Sequence, residues 1–150
     1  KGFDFSAVIG SAFGNKLYNG IRYYYEGMNS GSNFLKTTLN AWTPTNTKTD
    51  VPRAIYGDPN QNTRESTRFL ENGDFVRLRQ VQLGYTLPKA LSKHIYCESI
   101  RFYVSAENVF TITGYSGANP EFSQGVLNSG IDRFTYPFSR SYTVGAQVSF

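Results

Sequence analysis

The chain has 150 residues, the length of one domain, and a formal net charge of +4. Its basic residues are scattered rather than clustered, which argues against a nucleic-acid-binding surface. The single cysteine, Cys97, excludes an internal disulfide and any multi-cysteine zinc site. No apolar run approaches the roughly 18 residues that a transmembrane helix requires, whereas membrane-spanning strands leave a weaker signal because half their side chains face a polar interior.

The first predicted strand covers residues 3–13, where apolar side chains recur at every second position. One face holds Phe3, Phe5, Ala7, Ile9 and Phe13. Val8 on the other face is the one mismatch in the pattern. Because side chains alternate across a strand, this segment has an apolar face and a small polar face.

A long, aperiodic stretch follows, from about residue 16 to 73. Gly14-Asn15 and Asn19-Gly20 predict turns before or within it. Its high content of Gly, Asn, Ser, Thr and Pro predicts a loop, and apolar spacing predicts a helical turn or two beginning near Ser32.

The next predicted strand covers residues 74–86. Its apolar phase reverses near Arg79–Gln80, which predicts either a β-bulge there or an upper part of the strand outside the membrane. Leu87-Pro88 ends the strand, because proline cannot continue the ladder. A short link follows, in which one helical turn would pair Leu91 with Ile95.

Residues 100–112 form the clearest internal strand, with apolar residues alternating regularly with polar ones. Arg101 and Glu107 fall on the polar side, where they suit a wet interior and would be costly against lipid. Residues 114–139 are again rich in Gly, Asn, Pro and Tyr and predict a second long loop.

The last predicted strand covers residues 140–150, about the 9–11 residues that a tilted strand needs to cross a bilayer. Its apolar face holds Tyr142, Val144, Ala146, Val148 and Phe150. A terminal strand of a soluble protein would show the same alternation. The register counted back from Phe150, however, resembles the C-terminal signature that the barrel-assembly machinery recognises in bacterial outer-membrane proteins.

The order of long and short connections is informative. Four strands are separated by a long loop, a short link and a long loop. With the chain end on the periplasmic side, both long loops fall outside the cell and the short link falls inside, as in transmembrane barrels. The sequence therefore predicts an all-β, antiparallel transmembrane β-barrel fragment with two long extracellular loops.

Five blocks of the sequence share one order with a known protein family. They are residues 71–88, residues 100–115, Asn119-Pro-Glu121, Tyr136-Pro-Phe-Ser-Arg140, and Trp42-Thr-Pro44 with Pro52-Arg53. Together they resemble the SusC/RagA family of TonB-dependent outer-membrane transporters over nearly the whole chain. Departures at Ala106-Glu107, Asn119 and Ser139 leave the strand and loop pattern unchanged.

The resemblance implies that residues 1–150 are the last four strands of a 22-stranded barrel, whose plug and TonB box are absent here. Lys1 is not an initiator methionine, so we expect a C-terminal segment of a longer protein. Such proteins import large nutrients, either oligosaccharides or peptides, across the outer membrane of Bacteroidota. The implied partners are a SusD-like surface lipoprotein, TonB, the barrel-assembly machinery and the lipid bilayer.

The sequence predicts no catalytic, cofactor-binding or metal-binding residues, and hence no enzyme. The one histidine, His94, lies in the short link without a triad arrangement. Asp58-Pro-Asn-Gln-Asn62 begins like a calcium loop, but Thr63 and Phe69 stand where an EF-hand needs Gly and Glu.

Aromatic loop residues are the only predicted binding candidates. Tyr23, Tyr24, Tyr25 and Trp42 have flat amphipathic side chains that can stack on a sugar ring and donate a hydrogen bond. The alternative explanation of these residues is packing within a folded loop or contact with the lipoprotein partner.

Two other functions remain open from the sequence. One is an outer-membrane anchor that completes its barrel by oligomerising. The other is a soluble carbohydrate-binding β-sandwich, which would bury Phe102, Val104, Val144 and Val148 together in a closed core.

Overall fold

A computed structural model describes residues 2–27, 33–94, 96–122, 125 and 128–150. The expected helical start at Ser32, and Ile95 as the partner of Leu91, lie outside the described residues. In chain order the elements are β1 (Phe3–Ala12), β2 (Lys16–Asn19), α1 (Gly20–Tyr25), 3-10 helices at Lys36–Asn40 and Thr67–Phe69, β3 (Leu70–Asn72), β4 (Phe75–Thr86), α2 (Lys89–His94), β5 (Ser99–Thr113), β6 (Ile131–Asp132) and β7 (Ser141–Ser149). They form two compact units, residues 1–13, 74–114 and 137–150, and residues 14–73 and 115–136.

The first unit is a single antiparallel sheet with the strand order β1-β4-β5-β7. Each strand pairs with its sequential neighbour in this set, so the sheet is a meander. Each lies in a stretch of alternating sequence, where the pleat separates apolar from polar side chains. Antiparallel sheets with few helices were expected, and the structure confirms this architecture.

Arg79 marks an irregularity that both neighbouring strands share. The register of β1 on β4 shifts between Val8 and Ile9, and that of β4 on β5 shifts between Leu78 and Gln80. One additional residue in a strand exchanges the two faces for the side chains beyond it. Leu78 therefore lies on the apolar face, opposite Ile9, although simple alternation from Val81 would place it on the polar face. The predicted β-bulge is therefore confirmed.

The apolar face of this sheet is exposed rather than packed into a core. Phe5 is 69% exposed, Phe102 51% and Val144 82%. Val104 and Val148 are exposed as well. In the described sheet these side chains therefore do not form the closed core that a soluble β-sandwich requires. An exposed apolar surface of this extent is unusual for a soluble monomer.

The opposite face carries polar groups held over two glycines. Arg101 forms a two-pronged ion pair with Asp4, with Nη2 2.6 Å and Nε 3.0 Å from the carboxylate oxygens. The pair passes directly over Gly84, where a Cβ would overlap both side chains. In the row of Gly84 itself, the ring of Tyr103 covers Gly145 in the same way.

The short link between β4 and β5 begins at Pro88 and contains α2. The N–H of Leu91 donates to the carbonyl of Pro88 at 2.9 Å, and the N–H of buried Cys97 donates to the carbonyl of Ser92 at 3.0 Å. Among the described residues, no helix is long and apolar enough to cross a membrane.

The second unit corrects the interpretation of the two long connections as plain loops. They contain a three-stranded sheet with the order β3-β2-β6, in which β2 pairs antiparallel with β3 and parallel with β6. Strands of two to four residues are too short to show a period in sequence. The predicted turn at Asn19-Gly20 is also wrong, because β2 ends and α1 begins there.

The packing of Tyr103 on Gly145 gives a test of the sheet. Valine favours strands, so propensity alone predicts that Gly145→Val is harmless or stabilising. We expect instead a loss of about 1–3 kcal/mol, because the new side chain overlaps the Tyr103 ring. Urea unfolding of the full-length protein in detergent, followed by heat-dependent gel mobility, measures the change.

The control for this change is Thr143→Val on the same strand and face. Adding Tyr103→Ala to Gly145→Val should restore most of the lost stability. A double variant no more stable than Gly145→Val alone would contradict the packing argument.

Candidate functional site

Helix α1 positions the three consecutive tyrosines in the second unit. Asn19, at the end of β2, accepts the backbone N–H of Arg22 at 3.1 Å and so caps the helix. Its amide nitrogen donates to Glu71 at 3.1 Å and to Ser116 at 3.0 Å. Asn19 is 1% exposed, so a buried, fully engaged side chain fixes where the helix starts.

Glu26, just after α1, is a fully buried carboxylate surrounded by donors. It accepts from Nη2 of Arg22 at 3.0 Å, from Nη2 of Arg68 at 2.7 Å and from the hydroxyl of Thr37 at 2.8 Å. A buried charge is tolerated only when it is paired and hydrogen-bonded in this way. Glu26 thus ties the end of α1 to two segments distant in sequence.

Glu71 in β3 joins this network to the second long connection. It accepts the N–H of Ser116 at 2.8 Å and Nη1 of Arg22 at 3.1 Å. Burial alone would raise the pKa of Glu71, but hydrogen bonds from Ser116, Arg22 and Asn19 outweigh it and hold the pKa below its ordinary value.

Asp132 organises the segment that follows β6. It accepts the hydroxyl of Tyr115 at 2.7 Å and the N–H of Thr135 at 2.9 Å while fully buried. Burial and the neighbouring carboxylate raise the pKa of Tyr115 well above its ordinary value, so the phenol stays a donor. These bonds hold Phe134 beside α1.

Six aromatic rings pack around α1. Tyr18 and Tyr23 both contact the buried Phe69, with ring centroids 5.9 and 5.5 Å away. Tyr24 and Tyr25 both contact Phe134, at 5.6 and 5.7 Å. Edge and tilted contacts of this kind add to the stability that area burial supplies.

A cleft of about 160 Å³ opens between these rings. Its lining consists of Tyr18, Gly20, Tyr23, Tyr24, Glu65, Ile131 and Arg133. The hydroxyl of Tyr18 is buried without a hydrogen-bond partner in the described structure. Burial, and then the charge of Glu65, raise the pKa of Tyr18. We name this space the tyrosine cleft.

A second, wider cleft of about 390 Å³ lies beside Trp42. Its lining includes Asp50, Asn60 and Asn62, and the Arg53 guanidinium carbon stands 6.0 Å from the centre of the Trp42 ring. The space is open and more polar in lining than the tyrosine cleft.

The structure groups the predicted binding residues only in part. Tyr23 and Tyr24 line the tyrosine cleft, Tyr25 packs on Phe134, and Trp42 lines the separate second cleft. Whether any of them touches a ligand stays a prediction. The sequence interpretation missed the other lining residues of the tyrosine cleft, which are Tyr18, Gly20, Glu65, Ile131 and Arg133. The pairing of β2 with β6, which brings Tyr18 to Ile131, joins segments that are distant in sequence.

The residues of the C-terminal signature lie on or just beyond the outer strand β7. Tyr142 and Val144 are 73% and 82% exposed, and Phe150 follows the strand end. Strand β7 is an edge strand, and within the described chain it pairs only with β5. Their recognition by assembly machinery stays a prediction.

The segment that resembles a calcium loop is stabilised by its own hydrogen bonds. The Asp58 carboxylate accepts the N–H groups of Asn62 and Thr63, at 2.8 and 2.9 Å, and the Thr63 hydroxyl at 2.5 Å. These bonds, the Thr63 hydroxyl first, lower the pKa of Asp58. Nδ1 of His94 lies 2.8 Å from the carbonyl oxygen of Ala90.

Comparison with known proteins identifies proteins that are similar to this chain in sequence and in fold. No protein-family model matches the chain. It is 33% identical to TonB-dependent receptor P3 of Formosa agariphila over its whole length, and 26% identical to TonB-dependent receptor SusC of Bacteroides thetaiotaomicron. It also matches the solved structure of the RagAB peptide importer in its closed-closed state, with a TM-score of 0.82 and 33% identity over the whole chain.

Over its whole length the chain is similar to TonB-dependent receptors of the SusC/RagA family. It spans about 15% of the length of receptor P3, 14% of SusC and 16% of the matched RagAB chain. These SusC/RagA relatives are receptors and an importer rather than enzymes, in line with the absence of predicted catalytic residues.

Glu26 gives the first test of the second unit. Glu26→Gln keeps the shape but removes the charge between Arg22 and Arg68, so we expect a local loss of about 3 kcal/mol. Hydrogen exchange of peptides covering residues 14–73 in the full-length receptor measures it. Glu98→Gln, at an exposed site, should leave exchange unchanged, and equal effects of the two changes would contradict this role.

Glu71 gives a pH test. Its pKa is lower folded than unfolded, so its contribution is complete above the unfolded value of about 4.5 and is lost as pH falls through the folded value. We expect pepsin cleavage of the second unit to accelerate over that range. Glu71→Gln should flatten this rise, and an unchanged pH profile would contradict the prediction.

Proposed function

We propose that the chain is the C-terminal barrel segment of an outer-membrane TonB-dependent importer of large nutrients, and that it has no enzymatic activity. The observation that carries this proposal is the exposed apolar face of the four-stranded sheet, backed by a polar face with the ion pair Asp4–Arg101. A sheet with these two faces matches a wall between hydrocarbon and a hydrated interior.

The energetic reason concerns side chains and backbone together. Apolar side chains such as Phe5 and Val144 have no desolvation penalty against lipid, whereas the charges of Asp4 and Arg101 would be costly there. The outer strands β1 and β7 need further strand partners, because lipid cannot satisfy an open edge. In this proposal the remaining strands of a 22-stranded barrel supply those partners.

The two long connections belong on the extracellular side in this arrangement. The second unit, built from both connections, then stands where cargo and a SusD-like surface lipoprotein would arrive. The similarity to SusC and to the RagAB peptide importer supports nutrient import. Cargo is a peptide or an oligosaccharide, TonB acts on a part of the protein outside this chain, and the β7 signature serves barrel assembly.

The alternatives fit less well. A soluble carbohydrate-binding β-sandwich would pack Val104 and Val148 in a closed core, yet both are exposed. An oligomeric anchor barrel would share the exposed face, but such anchors have short connections, whereas here the connections form a compact unit with its own sheet.

Neighbouring residues of β5 provide a matched test of the proposal. Val104→Arg puts a charge on the apolar face, at a cost of about 2–4 kcal/mol near the bilayer centre, and Ser105→Arg puts the same charge on the polar face. We expect Val104→Arg to reduce outer-membrane assembly of the full-length receptor and Ser105→Arg to be tolerated.

Uptake completes the test. Cells that produce the wild-type or Ser105→Arg receptor should accumulate labelled oligopeptides or oligosaccharides only when TonB is present. TonB-independent uptake, or normal assembly of Val104→Arg together with loss of Ser105→Arg, would contradict the proposal.

A further inference from the structure

We propose that the tyrosine cleft binds an aromatic side chain of a short peptide, with the charged peptide ends held by Glu65 and Arg133. The inference rests on the proposed import function, for which the cleft would be a cargo-recognition site. It is argued from the size, the walls and the free charges of the cleft.

Size is the first argument. The cleft measures about 160 Å³, and a cavity of about 150 Å³ is enough for one benzene-sized ring. Tyr23 and Tyr24 meet edge to face at 5.2 Å, and Tyr24 keeps half its surface exposed. A planar ring entering beside Tyr24 gains the same edge or offset contacts that the cluster already uses.

The walls favour an apolar ring over a sugar. Apart from the charged Glu65 and Arg133, the lining consists of aromatic rings, Ile131 and the glycine at the start of α1, and the Tyr18 hydroxyl is buried. A pyranose carries several hydroxyl groups, and each one buried without a partner is costly. An aromatic side chain brings at most one polar atom.

The rim supplies the charge complementarity. Glu65 and Arg133 are exposed and both line the cleft, and neither side chain forms a hydrogen bond or an ion pair with a residue that the structure describes. A guanidinium binds a carboxylate in a two-pronged fashion, and a carboxylate binds an ammonium group. A short peptide with free ends offers both groups beside its side chain.

Binding to the full-length receptor purified in detergent tests the proposal without TonB. The probes are Gly-Phe-Gly with free ends, the same peptide with both ends blocked, Gly-Ser-Gly, and maltotriose, measured by saturation-transfer NMR and calorimetry. We expect Gly-Phe-Gly to bind, blocking to weaken binding, and neither Gly-Ser-Gly nor maltotriose to compete for the site.

Variants locate the site. Tyr24→Ala should weaken Gly-Phe-Gly binding about five- to tenfold by removing one wall, and Arg133→Gln about two- to fivefold by removing an exposed charge. The matched controls are Tyr56→Ala, at a fully exposed tyrosine, and Lys48→Gln, at an exposed cation, which should bind normally. Heat-dependent gel mobility checks that each variant is folded.

Three results would overturn the inference: maltotriose competing as well as Gly-Phe-Gly, normal binding by Tyr24→Ala and Arg133→Gln, or equal losses in the controls. Uptake is measured separately, so the two proposals can fail independently. If Gly-Phe-Gly binds in this pattern but uptake does not depend on TonB, only the import proposal is refuted. If uptake depends on TonB but the binding pattern is absent, only the proposal for the tyrosine cleft is refuted.

Discussion

The rest of this structure depends on the pleat of four paired strands, which separates apolar side chains from polar ones. Phe102 and Ala146 stand opposite each other on one face, while Tyr103 and Gly145 stand opposite each other on the other. Backbone pairing fixes this division residue by residue, so it holds only while register is maintained. The ion pair over Gly84 shows that charge collects on one side of the sheet.

The second unit is stabilised by different physics. Its apolar core is small, and buried polar side chains take over the positioning of α1. Asn19 fixes the start of the helix and Glu26 fixes its end, each through partners distant in sequence. Such networks are sensitive to the loss of any one member, because the remaining charge is left buried. They also fix the position of α1 and of the tyrosine rings that it carries, which suits a surface that recognises shape.

A structural element could be predicted from the sequence where its signal is local, and could not where it depends on contacts between residues distant in the chain. Alternation over ten residues is a local signal, and the phase reversal near Arg79 revealed the bulge without any partner strand. The pairing of Tyr18 with Ile131 has no local signal, so β6 and the lining residue Arg133 were missed. The tyrosines of α1 stood out as aromatic residues in a polar stretch, but only tertiary contacts separate Tyr25 from the cleft that Tyr24 lines.

The bulge at Arg79 bears on how such strands change in length during evolution. An insertion or deletion of one residue elsewhere in β4 would turn every later side chain to the wrong face, so indels in the regular part should come in pairs. At Arg79 the register of the ladder already shifts, so losing or gaining one residue there changes the local twist instead. This single position therefore gives the strand a place where odd-numbered length changes can be absorbed.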